Sequence, residues 1–255
     1  MAAWPRYVTL VGLAVVLIFL SLIYGYRFGL VPLMSVFGGM RMLVPVLLIA
    51  SLATVAASGA LFFRRTFLAG FAALAVAASA GVLGMVPLWM SGEAKKVPPI
   101  HDITTDTMDP PVFVDIVPLR ADASNPPAYD PGQTEQQLEA YPHLRPLVMP
   151  VPIQEAFVIA QDAVRAEGLT LVASVPEEGR IEAYARTPLF DFKDDVVIRL
   201  RDAHGTATVI DIRSKSRVGR SDLGFNARRI DSLIEKMEAK GGRLDFDHAP
   251  VTGDV

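Results

Sequence analysis

The 255-residue chain contains no cysteine. Disulfides, thiolate nucleophiles, iron–sulfur clusters and cysteine-type zinc sites are therefore excluded. The compartment stays open, because an oxidising space permits disulfides without requiring them. The chain up to Gly92 also lacks Asp, Glu and Lys, and its only charged side chains are Arg6, Arg27, Arg41, Arg64 and Arg65. All 27 acidic residues lie beyond Gly92, against 19 basic ones, a formal charge of −8 for that part. A nucleic-acid binder needs a net basic footprint, so this balance disfavours nucleic acid, and none is expected as a partner. Neither a G-x-S-x-G turn nor an H-E-x-x-H pair occurs, so two common hydrolase constellations are absent. No internal repeat is visible.

What the first third does have is long apolar runs, at Tyr7–Tyr26, Met42–Phe63 and Thr66–Met90. A bilayer core of about 30 Å is crossed by roughly 20 apolar residues in a helix. Inside lipid the backbone groups must be paired within each segment, so three transmembrane helices are expected. The first run is longer than a signal-peptide core and no A-x-A site follows it, so it is read as a retained helix. Only Arg64 and Arg65 separate the second and third runs, which sets these two as a tight antiparallel hairpin. Small residues crowd both: Ala50, Ser51, Ala53, Ala56, Ala57, Ser58, Gly59 and Ala60 in one, and Gly70, Ala72, Ala73, Ala75, Ala77, Ala78 and Gly81 in the other. Close helix packing explains them, with oligomerisation or docking on a second membrane protein as the alternative. No ionisable group lies mid-span, which argues against a transporter acting alone. Arg6, Arg64 and Arg65 fall on one side and Arg27, Arg41, Lys95 and Lys96 on the other, so the positive-inside rule barely decides orientation.

Residues 93–149 form a Pro-rich linker and the start of a soluble domain. Pro98, Pro99, Pro110, Pro111, Pro118, Pro126 and Pro127 forbid a long helix. Val112–Val117 alternates like a strand, with Val112, Val114 and Ile116 on one face. Thr134 opens a short helix that Pro142 ends. Residues 150–242 form the core. Pro152 and Gly168 bracket a helix with an apolar stripe at Ile153, Ala156, Phe157, Ala160, Ala163 and Val164. Leu169–Val175 and Arg180–Arg186 read as strands, the first with Leu169, Leu171, Ala173 and Val175 on one face. Asp195–Arg201 and Thr206–Arg213 read as a hairpin around Ala203-His204-Gly205. That register pairs Leu200 with Thr208, Ile198 with Ile210 and Val196 with Ile212, and sets Asp195 opposite Arg213 as a cross-strand ion pair. A final helix runs from about Leu223 to Lys240, capped by Ser221 or Asp222 and ended by Gly241-Gly242. Arg243–Val255 reads as a frayed tail. The expected fold is α+β: three transmembrane helices, then an antiparallel sheet of four or five strands with helices on one face.

Three stretches, Pro98–Phe113, Phe190–Arg201 and Ile210–Ile230, resemble in order and spacing the DUF1499 family, a domain of unknown function. The RSKSRVGRSDLGFNARRI run, Arg213–Ile230, is its most specific part. The likeness covers about Ile100–Glu238 and leaves the spans outside. Many members of that family look like exported lipoproteins or lumenal proteins. The resemblance thus implies an inner-membrane protein with a cytoplasmic N-terminus and a periplasmic domain. Where many members carry an Asn-Cys-Val-Ser-Ser-like stretch, this chain has Met108–Val112, so no role resting on that cysteine operates here.

The densest polar cluster supplies the candidate ligand-binding residues: Arg213, Ser214, Ser216, Arg217, Arg220, Ser221 and Asp222. Arg and Ser donors running into a helix start can hold a phosphate, a carboxylate or a lipid headgroup. The alternative is a strand-to-helix connection whose arginines pair with Asp191, Asp194, Asp195 and Asp211. Those carboxylates could instead serve a hydrolase or a cation, but Asp194 and Asp195 point to opposite strand faces. His101, Asp102, Thr104, Thr105 and Asp106 are read as local linker hydrogen bonds rather than a catalytic set. Tyr184, Phe190, Phe192 and Phe225 read as core, with a lipid pocket as the alternative. No cofactor, metal site or catalytic residue is expected. The expected function is a membrane-anchored envelope protein whose domain binds a partner protein or an amphiphilic or anionic ligand. An envelope hydrolase using the Asp and Arg residues of 190–222, and an accessory subunit of a membrane complex, are the alternatives. The bilayer is the expected partner of the spans, with oligomerisation through them possible in principle.

Overall fold

The computed structural model describes residues 3–121 and 123–244. The chain divides into two units: one up to Lys95 together with Pro188–Asp191, the other from Lys96 to Thr187 and from Phe192 onward.

The first unit consists of α1 (Trp4–Arg27), α2 (Leu33–Phe63) and α3 (Phe67–Glu93). At 1.5 Å per residue these are about 36, 46 and 40 Å long, each enough to cross a bilayer core, and all three are apolar enough to do so. α2 starts nine residues before the expected Met42. Gly38 and Gly39 weaken a helix there by propensity, but Val36 is fully buried and Gly39 sits beneath Leu22, where a Cβ would lie 2.6 Å from Leu22 Cδ1. Packing thus outweighs the glycine cost. The small residues of α3 form a buried seam, Gly70, Ala73, Ala77, Ala80 and Gly84, spaced three and four apart. α2 fills it: Leu48 lies over Gly84 and Phe62 over Gly70. Ser51 Oγ donates to the Ala77 carbonyl at 2.8 Å and Ser58 Oγ to the Gly70 carbonyl at 2.9 Å. Small residues and interhelical hydroxyl bonds are the usual adhesive where the hydrophobic effect offers none.

The second unit is an α+β domain. Its elements are β1 (Asp102–Thr104), α4 (Thr134–Ala140), β2 (Leu147–Met149), α5 (Ile153–Ala166), β3 (Thr170–Val175), β4 (Arg180–Arg186), β5 (Lys193–Ala203), β6 (Ala207–Ser216) and α6 (Phe225–Gly241). The sheet is antiparallel in the order β1-β6-β5-β4-β3, with β2 also paired to β6. It has six strands rather than four or five. The two extra ones are three-residue pieces, too short to show a period of two. α5 and α6 cover one face, where Ile181, Val196, Ile198, Leu200, Ile210 and Ile212 meet Ala160, Val164, Ile230, Leu233 and Met237.

The β5–β6 hairpin keeps the expected faces but shifts the register by two residues. The turn is His204-Gly205-Thr206, Ile198 pairs with Ile212, and Leu200 pairs with Ile210. His204 and Gly205 both adopt left-handed backbone, and Asp202 Oδ2 accepts the Gly205 N–H at 3.0 Å. Ala203 and Ala207 pair at the end of the ladder and bury themselves against Val148, which favours this register over the shorter one. β3 departs from strict alternation: a bulge between Leu171 and Ala173 leaves Leu171 opposite Ala183 but sets Ala173 opposite Glu182 and Val175 opposite Arg180, so the expected single face of Leu171, Ala173 and Val175 is broken, and Val172 meets Phe113 and Val197 on the far face. α6 starts at Phe225 rather than Leu223, because Leu223 and Gly224 are both left-handed. Asp222 caps it, its carboxylate accepting the Gly224 and Asn226 N–H groups at 2.9 and 2.6 Å. In the tail, the Leu244 N–H donates to the Val148 carbonyl; 245–255 lie outside the described residues.

The face of the sheet opposite the helices is covered by the segment between β1 and α4, here called the strap. Val112–Val117 within it is not a strand. Pro110, Pro111 and Pro118 flank it, and the N–H groups of Val114, Asp115 and Ile116 go to the Glu182 side chain instead of to a neighbouring strand. Phe113 and Ile116 are buried beneath it.

Candidate functional site

Strand alternation sorts the marked residues onto two faces. Arg213 and Lys215 on β6, and Arg217 just past its end, point to the strap, whereas Ser214 and Ser216 point to α6. On β5, Asp195 faces the strap and Asp194 faces α6, where it receives Arg229 at 2.9 Å. The marked set is therefore not one site but two layers of a sandwich.

The strap layer is a buried charge network. Asp102 takes a two-pronged contact from Arg213, at 2.9 and 2.8 Å, and Lys215 Nζ at 2.9 Å. Asp195 takes Arg217 through Nε and Nη2, and Arg120 of the strap. Side-chain exposure is 4% or less for all six groups. The expected Asp195–Arg213 pair is thus replaced. The two-residue register shift puts Lys215 opposite Asp195 and Val197 opposite Arg213, and each charge turns to a nearer partner. Arg213 also lies between two rings, 4.8 Å from the Phe113 centroid and 5.5 Å from Tyr129, a cation–π arrangement.

Nearer the other end of the face, Asp211 Oδ2 accepts Arg199 and Arg201, which also reach Asp106. Its Oδ1 is buried with no hydrogen-bond partner. Glu182 is fully buried, accepts the three strap N–H groups and pairs with Arg180. Burial pushes the Asp195 and Asp211 carboxyls above the ordinary carboxylate value, against the pull of their arginines. Burial lowers Lys215, with Asp102 opposing.

The layer under α6 is polar but small. Ser214 Oγ donates to Asn226 Oδ1 at 2.6 Å, and Asn226 Nδ2 donates to Ser216 Oγ and to the His101 carbonyl, each at 3.0 Å. Ser221 Oγ accepts the Leu223 N–H at 3.3 Å, Asp222 caps α6 and Arg220 lies exposed. Tyr184 sits under Arg217, while Phe225 is exposed beneath Arg228. Phe190 belongs to the first unit. Among the described residues no group of three or more His, Asp or Glu is placed to hold a metal ion.

Sequence reasoning missed Arg120, Gln137, Glu182 and Asn226. Gln137 mimics a strand, accepting the Thr104 N–H at 3.0 Å and donating to its carbonyl at 2.7 Å. A signal existed for Glu182: it is the one charge inside the Ile181–Ala185 alternation, on the face where a polar residue passes for a solvated one.

A single type of exposed surface stands out on the strap. Its irregular backbone sends Phe113, Ile116 and Arg120 inward and leaves Met108 93%, Val112 68%, Val114 51%, Val117 39% and Leu119 50% exposed. Asp109 and Asp115 border them, at 72% and 48% side-chain exposure.

A family model, described as protein of unknown function (DUF1499), matches residues 102–237. No curated protein and no solved structure matches the chain.

Proposed function

The chain belongs to the DUF1499 family of proteins of unknown function, and we propose that it is a membrane-anchored, non-catalytic binding protein whose strap docks a partner protein of the cell envelope. The observation that carries this is the row of exposed Val112, Val114, Val117 and Leu119 on a segment held down by buried charges. Clustered apolar exposure on a fixed backbone marks interaction surfaces. The rim carboxylates Asp109 and Asp115 are paired with Arg199 and Arg180, but the part beyond Gly92 carries a formal −8, which favours a partner whose apolar patch lies on a basic surface. The commitment of Asp102, Asp195 and Glu182 to buried pairs and strap bonds supports a scaffolding role for these carboxylates over a hydrolytic one. The family likeness supports a periplasmic position for the domain.

Photoreactive residues placed at Val114 and Leu119 of the full chain in its own membrane test this. A discrete adduct is expected at both, absent from Leu138 and Val158, which are exposed elsewhere. The adduct should weaken as salt rises, and Val114→Asp should reduce it about tenfold while the melting temperature holds. Equal cross-linking at all four positions would rule the docking face out.

A further inference from the structure

Arg213 and Lys215 occupy alternate positions on one face of β6, and Arg217 continues the row just past the strand end, so successive residues stand about 7 Å apart along the chain. Two carboxylates, Asp102 and Asp195, face these three cations. The remaining donors all go to backbone carbonyls of the strap: Arg213 to Pro111 at 3.1 Å and Pro127 at 2.9 Å, Lys215 to Ala128 at 2.7 Å, and Arg217 to Leu119. Arg120, on the strap itself, stands beside the row only in the closed form, where it pairs with Asp195 and its Nε is buried without an acceptor. A neutral carbonyl is a weaker partner for a guanidinium or ammonium than an anionic oxygen. Four strap carbonyls therefore occupy positions that an oxyanion would fill better.

The strap itself is held in an unusual way. Backbone bonds pin it at two points, Thr105 N–H to the Ile212 carbonyl and Asn125 N–H to the Arg217 carbonyl; between them, among the described residues, no backbone–backbone hydrogen bond joins Asp106–Ser124 to the sheet. Its attachments there are side-chain ones, from Arg213, Arg217, Arg199, Arg180, Glu182 and the Arg120–Asp195 pair. Phe113 and Ile116 are its buried apolar anchors on that face. An element with so little apolar burial belongs to the low-stability end of a domain, opening without global unfolding.

We propose that the Arg213–Lys215–Arg217 row is a binding site for a phosphate group, occupied in the closed form by the strap's own carbonyls and opened when the strap lifts. The arginine forks match phosphate oxygens, and Lys215 supplies a third charge between them. The phosphate could belong to a soluble anion or to a lipid headgroup; the chemistry at the row is the same. The site lies on the inner side of the strap and does not depend on the docking ridge outside it.

Hydrogen exchange on the full chain in phosphatidylcholine nanodiscs tests the proposal. The reporters are the Val114, Asp115 and Ile116 amides, which are bonded to Glu182 only while the strap is closed. They are expected to exchange at least tenfold faster than the β5 amides Val196–Leu200. Inorganic phosphate should speed them a further threefold or more over chloride at equal ionic strength. Nanodiscs containing phosphatidylglycerol form the second arm: acceleration there without added phosphate assigns the headgroup, and acceleration by phosphate alone assigns a soluble ligand. Lys215→Gln leaves Asp102 paired with Arg213, so it should fold and lose the response. Ile116→Ala, which loosens the strap, should show it at lower phosphate. The proposal is overturned by strap amides that exchange only with the sheet, by an equal effect of chloride, by an unaltered response in Lys215→Gln, or by no response in Ile116→Ala.

Discussion

Asp195 stands opposite Lys215 across the β5–β6 ladder, yet its carboxylate is held by Arg217, one position further along the same face, and by Arg120 from the strap. One carboxylate thus serves two buried cations. Removing it leaves both uncompensated, a loss of about 3–5 kcal/mol by the behaviour of other broken buried pairs. Asp195→Asn should therefore lower the denaturant midpoint of the domain far more than Arg120→Met, which leaves Asp195 with Arg217. Equal losses in the two variants would show that the strap pair, not the carboxylate, dominates.

Glu182 ties the strap to β4 through three N–H groups and Arg180. Glu182→Ala orphans all of them, and unmade bonds of this kind cost about 1–3 kcal/mol each when they remain buried. Because the strap can lift and wet them, the expected outcome is local. The amides of 113–116 should lose most of their exchange protection while the β5 and β6 amides lose less than tenfold. A uniform loss across the sheet would mean the strap and the core unfold as one.

Much of this architecture was legible in the sequence, and the exceptions share a cause. Apolar periodicity located α5, β4 and α6, because each buries one defined face, and unbroken apolar runs located the three long helices. The faces of the β5–β6 hairpin came out right, since Ile198, Leu200, Ile210 and Ile212 demand one side. Its register did not, because a shift of two residues leaves every side chain on its face. Only the pairing of Ala203 with Ala207 distinguishes the two. The charged face was hidden for the same reason. Alternate Arg, Lys and Asp residues on a strand look solvated, and nothing local tells that a proline-rich segment far away in the chain comes to cover them. The alternation of Arg213, Lys215 and Arg217 with Ser214 and Ser216 was the available clue that the cluster splits in two.

His101 offers a pH test. Burial lowers its pKa from 6.5, and Lys215 adds to the effect, with Asp102 and Asp222 pulling the other way. In the unfolded chain the imidazole takes up a proton near 6.5, while in the fold it does so only at lower pH. Below 6.5 the unfolded state therefore binds more protons, and stability falls as pH drops from 6.5 toward the folded value. His101→Gln, which cannot titrate, should flatten that part of the stability curve measured between pH 7 and 5. An unchanged slope would assign the acid sensitivity to other groups.

The side of the membrane on which the strap lies decides what can reach it. The chain has no cysteine, so Met108→Cys creates a single thiol, and at 93% exposure it is open to reagent in either topology. Intact cells with a permeabilised outer membrane are treated with a membrane-impermeant maleimide. Labelling before lysis is the expected outcome and places the apolar ridge among envelope proteins. Labelling only after lysis would put the ridge in the cytoplasm. It would remove envelope partners from consideration, and the basic-rimmed protein that fits the ridge would then have to be sought among cytosolic ones. The charge pattern of the loops leaves both orientations energetically close, so this one substitution settles what the arginines around the spans do not.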